Sequence, residues 1–558
     1  MTERNTSASL ALINGLILSP EAASGFAEAM AVEGDRIMAI GRDADIRPLI
    51  RAGARVIDLK GRLAIPAFAD AHIHAVCGGL EHLQCNLYGL LTRDACLAAV
   101  AANARMLPDD AWIVGGGWTF ESFGIGGPTA AELDAVSQGR PAFLLNTYHH
   151  SAWVNGAALA RARIDRDTGD PTDGRIERDA GGEPTGTLHD GAIRLVGELV
   201  PTPSQAVLVR ALRTAQAHLH SLGVTSWQDA AVGAAPELGM PDTFDTYCEV
   251  ADGGLMTARV VGALWWDRRR HIDQLDDLLA RRQAASDGRF RATTVKVMVD
   301  GVCETRTAAM SRAYRVNGGG NPDFDRGTLF IEPDRLADAV SRLDAEGFQI
   351  HFHAIGDAAV TATLDALARL KAPAAHRHHL AHLQFVKPED LDRFVSLGAV
   401  ANCQPLWACN DFTMLDLTLP IIDSEQASWQ FPIGSLKSRG VPLAFGSDWP
   451  ISSCDPLQQI HVAVNRRLSR RLGRSGSAET DQPFLLEEAV SVTDAVSAFT
   501  KGTAFVNHED HIAGVLATGR LADVAVLDQN IFDIPADGIG NTSVVLTVAG
   551  GQVVYGDE

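Results

Sequence analysis

Six apolar runs separated by helical text set the strongest constraint on this chain: "GVTSWQDA" (223–230), "TTVKVMVDG" (293–301), "FQIHFHAIGD" (348–357), "RHHLAHLQ" (377–384), "GAVANCQP" (398–405) and "VPLAFGSDWP" (441–450). Parallel strands need a crossover between them, and a helix is the usual one, so repeated strand-then-helix text predicts an α/β fold with a parallel sheet. A closed (β/α)8 TIM-type barrel accommodates the repeat better than an open sheet. At 558 residues, 46% of them hydrophobic, the chain has room for one such domain and an accessory.

The two ends lack this rhythm. "ALINGLILS", "AMAVEGDRIMAIG" and "ARVIDLKGRLAIP" near the start, and "GRLADVAVLDQN" and "SVVLTVAGGQVVYG" near the end, are short β pieces with turns. They predict a composite β-sandwich from residues 1–65 and 510–558, flanking a barrel at 66–509. Glycine-rich and turn-rich text at about 85–200 interrupts the repeat soon after the first barrel strand, as an insertion over the barrel mouth would. The triple glycines at 115–117 and 318–320 lack the GK[ST] of a phosphate loop and read as flexible loops.

Charge and cysteine content narrow the partners. A formal net charge of -21 disfavours a phosphate backbone, so no nucleic acid is expected. Eight cysteines without a CxxC pair suit a reducing cytoplasm. "LALINGLIL" is broken by Asn14 and Gly15 and reads as strand, turn, strand, and no apolar run is long enough to span a membrane. A small-molecule substrate is the expected partner.

The chemistry begins at "AIPAFADAHIHA" (64–75), where Asp70, His72 and His74 alternate and so share one face of an extended strand. With 18 histidines in 558 residues, chance supplies an H-x-H about once. Local structure must discriminate. His218 and His220 lie in a helical stretch, about 200° apart around its axis, and cannot share an ion. His353 closes one strand run, with Asp357 placed to cap the next helix. His382 closes another, with His378 one layer deeper and His379 on the opposite face. Asp448 ends an otherwise apolar run, and His351 reads as a satisfied core histidine. Lys296 sits inside a β-branched strand, where a bare ammonium would be costly without a partner or a chemical change. Four strand ends offering His72, His74, His353, His382 and Asp448, with Lys296 beside them, point to a metal site rather than to scattered core histidines. Imidazole and carboxylate donors suit Zn²⁺, with Mn, Fe, Co and Ni sharing the preference.

These segments resemble the amidohydrolase superfamily, specifically its family 3 branch, which includes N-substituted formamide deformylase-like enzymes. "IPAFADAHIHA" is similar to that family's strand-one signature, "VKVMVDGVCETRTAAM" to strand four, "HAIGDAAV" to strand five, "HLAHLQFVKPEDLDRF" to strand six and "GSDWP" to strand eight. "GRLADVAVLD" resembles the return into the β-sandwich, and "HSAWVNGAAL" with "GRIERDAGGEPTGTL" resembles the branch's insertion. The resemblance implies that His72 and His74 bind the more buried of two ions and that His353 and His382 bind the second. Asp448 is then both ligand and proton carrier, and Lys296, carboxylated on its amine, bridges the ions. It also implies a homodimer. Ala67 and Ala381 depart from the pattern, standing where glycine and glutamate are common.

The implied reaction is hydrolysis of a non-peptide C–N bond of amide or N-substituted formamide type. The alternatives are an ester, lactone, cyclic amide or heterocycle (deaminase) substrate on the same machinery, and a metal-free scaffold on the same fold. Trp118, His150, Trp153 and Asn155 in the insertion, Arg306 after strand four, and Gln404 and Trp407 after strand seven are the candidate substrate contacts.

Overall fold

The computed structural model describes residues 8–124, 127–171, 174–235, 240–315, 325–472 and 479–556. The central sheet has eight strands, numbered here in chain order: β1 (Phe68–Ile73), β2 (Val224–Val232), β3 (Arg259–Trp265), β4 (Phe290–Met298), β5 (Gln349–Ala354), β6 (His379–His382), β7 (Val400–Cys403) and β8 (Leu443–Phe445). Neighbours in sequence are neighbours in space, and every pairing is parallel. The seam between β8 and β1 is drawn together at its mouth by Asp448 N donating to His72 O at 2.7 Å. Side chains fill the inside and helices cover the outside, so β2 is buried along its whole length. The sequence runs did not include β3, "RVVGALW". Gly262 breaks that apolar stretch because a Cβ there would lie 2.8 Å from the Phe290 ring.

Helices Gln205–Ser221, Phe244–Asp252, Leu275–Ala284, Pro333–Ala345, Asp357–Ala368, Pro388–Leu397 and Pro456–Asn465 fall between or after the strands. One continuous apolar core joins their inner faces to the barrel. Asp357 does not cap its helix. It is the first residue inside, and its Oδ1 accepts from Ser311 N at 3.0 Å instead.

Segments from both ends of the chain build two further sheets. Strands Arg36–Gly41, Ala29–Glu33, Ala8–Ile13 and Ile50–Asp58 form one, and Gln552–Tyr555, Val544–Ala549, Val524–Leu527, Leu63–Pro66, Leu16–Leu18 and Phe26–Ala27 form the other. A shared cluster that includes Leu10, Leu12 and Met30 from the first and Ala64, Val526 and Leu546 from the second packs them face to face.

Between β1 and β2 the chain makes a six-stranded sheet of its own, ordered 174–178, 184–190, 151–154, 142–146, 113–118 and 85–86. The first triple glycine is therefore not a loop. Gly115 to Gly117 lie in strand Ile113–Trp118, where a Cβ on Gly115 would stand 2.1 Å from Cys85 O, so close backbone approach demands glycine. The second triplet, 318–320, lies outside the described residues.

Candidate metal centre

Two backbone irregularities bring the polar strand ends together. His382 closes β6 at φ 76° and Asp448 follows β8 at φ 56°, left-handed conformations that non-glycine side chains rarely adopt. Simple alternation from His382 would put His378 inside the barrel and His379 outside. The structure shows the reverse. His379 pairs in register with His351 and packs on its ring at 4.1 Å, while His378 Nε2 turns outward to Asp344 at 3.1 Å. The positive φ at His382 breaks the alternation and swings its ring back over the mouth.

The resulting constellation is tight and buried. Asp448 Oδ1 lies 3.2 Å from His72 Nε2 and 3.1 Å from His74 Nε2, and Asp448 Oδ2 is 3.9 Å from His382 Nδ1. Donors bound at about 2.0–2.1 Å around a tetrahedral ion sit about 3.3 Å apart, which these separations bracket. The His353 ring is 4.4 Å from that of His382, and its Nε2 lies 3.1 Å from Gly301 O, an acceptor that fixes a proton on Nε2. Lys296 Nζ is 3.4 Å from His72 Nε2.

The electrostatics of these groups suit a cation. Burial and the Lys296 amine push His72 down to about 3. Burial likewise holds His353 and His382 well below the usual histidine value, so these rings are neutral, the form that ligates metals. Burial would raise Asp448, but His72, His74 and His382 around it prevail and hold it well below the usual carboxylate range. Burial also lowers Lys296 to about 7. His74 Nδ1, His382 Nδ1 and Asp448 Oδ1 have no hydrogen-bond partner among the described residues. An anionic oxygen among unsatisfied imidazole nitrogens fits a first-row divalent ion.

Neighbouring side chains set these groups in place. Asp70 is not among the inward donors: its Oδ1 accepts from His72 N and Ser447 N, each at 3.0 Å, tying β1 to β8. Gln404 Oε1 accepts from His382 N at 2.9 Å, and Asn402 Nδ2 donates to Ala71 O at 2.8 Å. Gly446 permits the close approach of β8, since a Cβ there would lie 2.5 Å from His72 N.

Above the constellation lies a cavity of about 220 Å³, roofed by Tyr148, His149 and His150 of the insertion. Of the seven candidate substrate contacts, His150 and Trp407 line it. Trp407 stacks on His382, with ring centroids 5.1 Å apart and planes at 3°. His150 Nδ1 is 2.6 Å from Asp190 Oδ1, and its ring lies 6.5 Å from that of His353. Burial opposes the charging of His150, but the Asp190 hydrogen bond and charge outweigh it and raise its pKa.

The other five sit elsewhere. Trp118 and Trp153 fill the insertion's own core, donating to Leu144 O and Thr129 O. Arg306 turns toward Asp325, and Gln404 stands behind His382. Asn155 caps helix Gly156–Ala162: its Oδ1 accepts from Ala142 N and Ala158 N, and its Nδ2 donates to Arg140 O and Ser137 Oγ. Asn155→Ala is expected to cost about 3 kcal/mol through the lost cap and orphaned N–H groups. A lowered melting temperature with unchanged KM would register that loss.

Sequence reasoning missed Trp265, Met298, Glu304 and Asp411, which also line the cavity. Trp265 and Met298 at the ends of β3 and β4 carried a positional signal; Glu304 and Asp411 are loop residues and carried none. The other close His, Cys and acidic groups among the described residues are Cys77, Glu81 and His149, and Asp344, His376 and His378. In the first, Cys77 and Glu81 approach opposite nitrogens of His149. In the second, His378 Nδ1 accepts from Ile350 N, so Nε2 holds a proton and cannot ligate. The second set therefore cannot use His378 as a ligand. His220 bonds Val224 O and Thr257 Oγ1, and His218 packs between His82 and Trp449.

Comparison with known proteins agrees with this architecture. The family model described as "Amidohydrolase family" matches residues 55–555. Protein LONG AFTER FAR-RED 3 of Arabidopsis thaliana is 30% identical over 554 residues, covering 98% of this chain and 92% of that protein. The N-substituted formamide deformylase of Arthrobacter pascens is 24% identical, with 98% of each chain covered. A solved structure described as an uncharacterized metal-dependent hydrolase from Pyrococcus furiosus superposes with a TM-score of 0.70 at 26% identity, covering 93% of this chain and 99% of that one.

Proposed function

The chain belongs to the amidohydrolase family, and from that premise we propose that it is a metal-dependent hydrolase cleaving an amide or N-substituted formamide C–N bond. The observation that carries the reading is the convergence of His72, His74 and His382 on Asp448, at 3.1 to 3.9 Å, at the C-terminal mouth of the barrel. His72 and His74 would hold one divalent ion and His353 and His382 a second, with Asp448 as a further ligand and Lys296 as a bridge after carboxylation. Zn²⁺ is the ion these donors favour.

An ion bound there supplies Lewis acidity, polarising a carbonyl and lowering the pKa of water. The rest is the work of the chain's own groups. Asp448, a poor base in water but placed at the reacting centre, takes a proton from the attacking water and returns it to the departing nitrogen. His150, oriented by Asp190, presents Nε2 as a donor to the substrate oxygen. Trp407 covers the mouth and holds the His382 ring flat. Lys296 at about 7 offers a substantial fraction of neutral amine, the form that attacks CO₂: the N–C bond forms, one proton leaves, and an anionic carbamate replaces the amine.

The similarity to N-substituted formamide deformylase favours formamides among amides. The test is elemental analysis of protein purified without chelator, followed by a panel of N-substituted formamides and simple amides read for acid and amine release. About two first-row ions per chain and matched amounts of acid and amine are the expected result. Release of ammonia from heterocycles, or of alcohol from esters, with no amide turnover would overturn the assigned bond.

A further inference from the structure

Two buried amides, Gln228 of β2 and Gln349 of β5, determine which nitrogen of His72 is left to ligate. Gln349 Nε2 lies 2.8 Å from Val506 O and 3.0 Å from Arg377 O. Both partners are backbone carbonyls, which only accept, so the amide nitrogen must face them and Oε1 must face the other way. Gln349 Oε1 accepts from Thr294 Oγ1 at 2.8 Å and from Gln228 Nε2 at 3.3 Å. The same Gln228 nitrogen donates to Asn507 Oδ1 at 3.1 Å.

Gln228 therefore turns its oxygen to His351 Nδ1, 2.7 Å away. An acceptor there places the His351 proton on Nδ1 and leaves Nε2 as a lone pair. That lone pair faces His72 Nδ1 at 2.8 Å, so His72 is protonated on Nδ1 and bare on Nε2. Nε2 is the atom that looks across 3.2 Å to Asp448. Gln228, Gln349, His351 and Asn507 are all buried, so water does not reset the sequence of donors.

We propose that Gln228 and Gln349 are positioning residues which, through His351, lock His72 in the tautomer that presents Nε2 to a divalent cation. The proposal rests on the metal-dependent reading above. The lock excludes the competing tautomer, in which His72 Nε2–H would bond Asp448 directly and put a proton where the cation belongs. The orientation is anchored in backbone carbonyls of Arg377 and Val506, so it is set by the fold rather than by the ligand.

The test compares Gln228→Leu with Gln228→Glu. Leucine removes the acceptor, whereas a protonated glutamate keeps an oxygen toward His351 and gives its proton to Gln349 Oε1. Zn²⁺ affinity is measured by competition with a chromophoric chelator, and the His72 tautomer by ring ¹⁵N shifts in the metal-free protein. Gln228→Leu should bind Zn²⁺ about 10- to 100-fold more weakly, and Gln228→Glu within about threefold of wild type. Undiminished binding by Gln228→Leu, or equal weakening by both variants, would overturn the lock. Should Gln228→Leu not fold, the wild-type ¹⁵N shifts decide: a proton on Nδ1 of His72 upholds the proposal and one on Nε2 overturns it. Wild-type protein that takes up no ion overturns the metal reading and the lock together, an outcome distinct from tight wild-type binding that Gln228→Leu retains.

Discussion

Asp448→Asn is expected to lower kcat by about 10³-fold, within the range that loss of a positioned acid–base group commands. The substitution isolates the proposed proton-carrying role. Asparagine keeps the size of the side chain, keeps one oxygen toward His72 and His74, and tolerates the left-handed backbone at φ 56°, which alanine would not. The amide cannot take up the proton of the attacking water at neutral pH. Metal content should fall far less than turnover, because the imidazole donors are untouched. Steady-state kinetics on an amide substrate, with elemental analysis on the same preparation, separates the two effects. A variant with full kcat would remove Asp448 from the mechanism, and one that lost ions and activity in proportion would reduce it to a ligand.

Lys296→Met is expected to bind about one ion where two are proposed for the wild type, and to lose about 10²-fold or more in kcat. Its stability should change in the opposite direction. The Lys296 side chain is buried, and Nζ has His72 Nε2 as its near neighbour. The sign follows from the depressed pKa. The unfolded chain holds the proton up to about 10.5 and the folded one only to about 7, so below pH 7 the metal-free protein must bury an ammonium or give it up. Methionine removes that penalty. The metal-free variant should therefore melt above metal-free wild type, by a margin that shrinks as pH rises from 7 toward 10. Calorimetry of chelator-treated samples measures it. Two ions and full turnover in Lys296→Met would rule out the carbamate bridge.

The candidate site was legible in sequence because a barrel puts its working residues at strand ends, and strand ends can be read from where apolar runs stop. His72, His74, His353, His382 and Asp448 were each marked by a polar side chain closing such a run, and Lys296 by a charge inside one. The family resemblance then assigned roles that spacing could not. The β3 run escaped because Gly262 dilutes it, and the triple glycine at 115–117 was misread because composition does not reveal that Cys85 O occupies the space above Gly115. Asn155 and the two insertion tryptophans looked like contacts because polar and aromatic residues in an insertion serve equally well as caps and core.

What the sequence alone determined was the α/β class, the barrel and the donor types, since strand period, helix period and side-chain chemistry are local properties of the chain. What only the tertiary structure decided was direction. Positive φ at His382 reverses the face that alternation assigns, and the polarity of the Gln349, Gln228, His351 and His72 series depends on carbonyls at residues 377 and 506. Gln349 and Val506 are 157 residues apart in the chain. A hydrogen bond's direction is set by its partner, and no local pattern records a partner that distant.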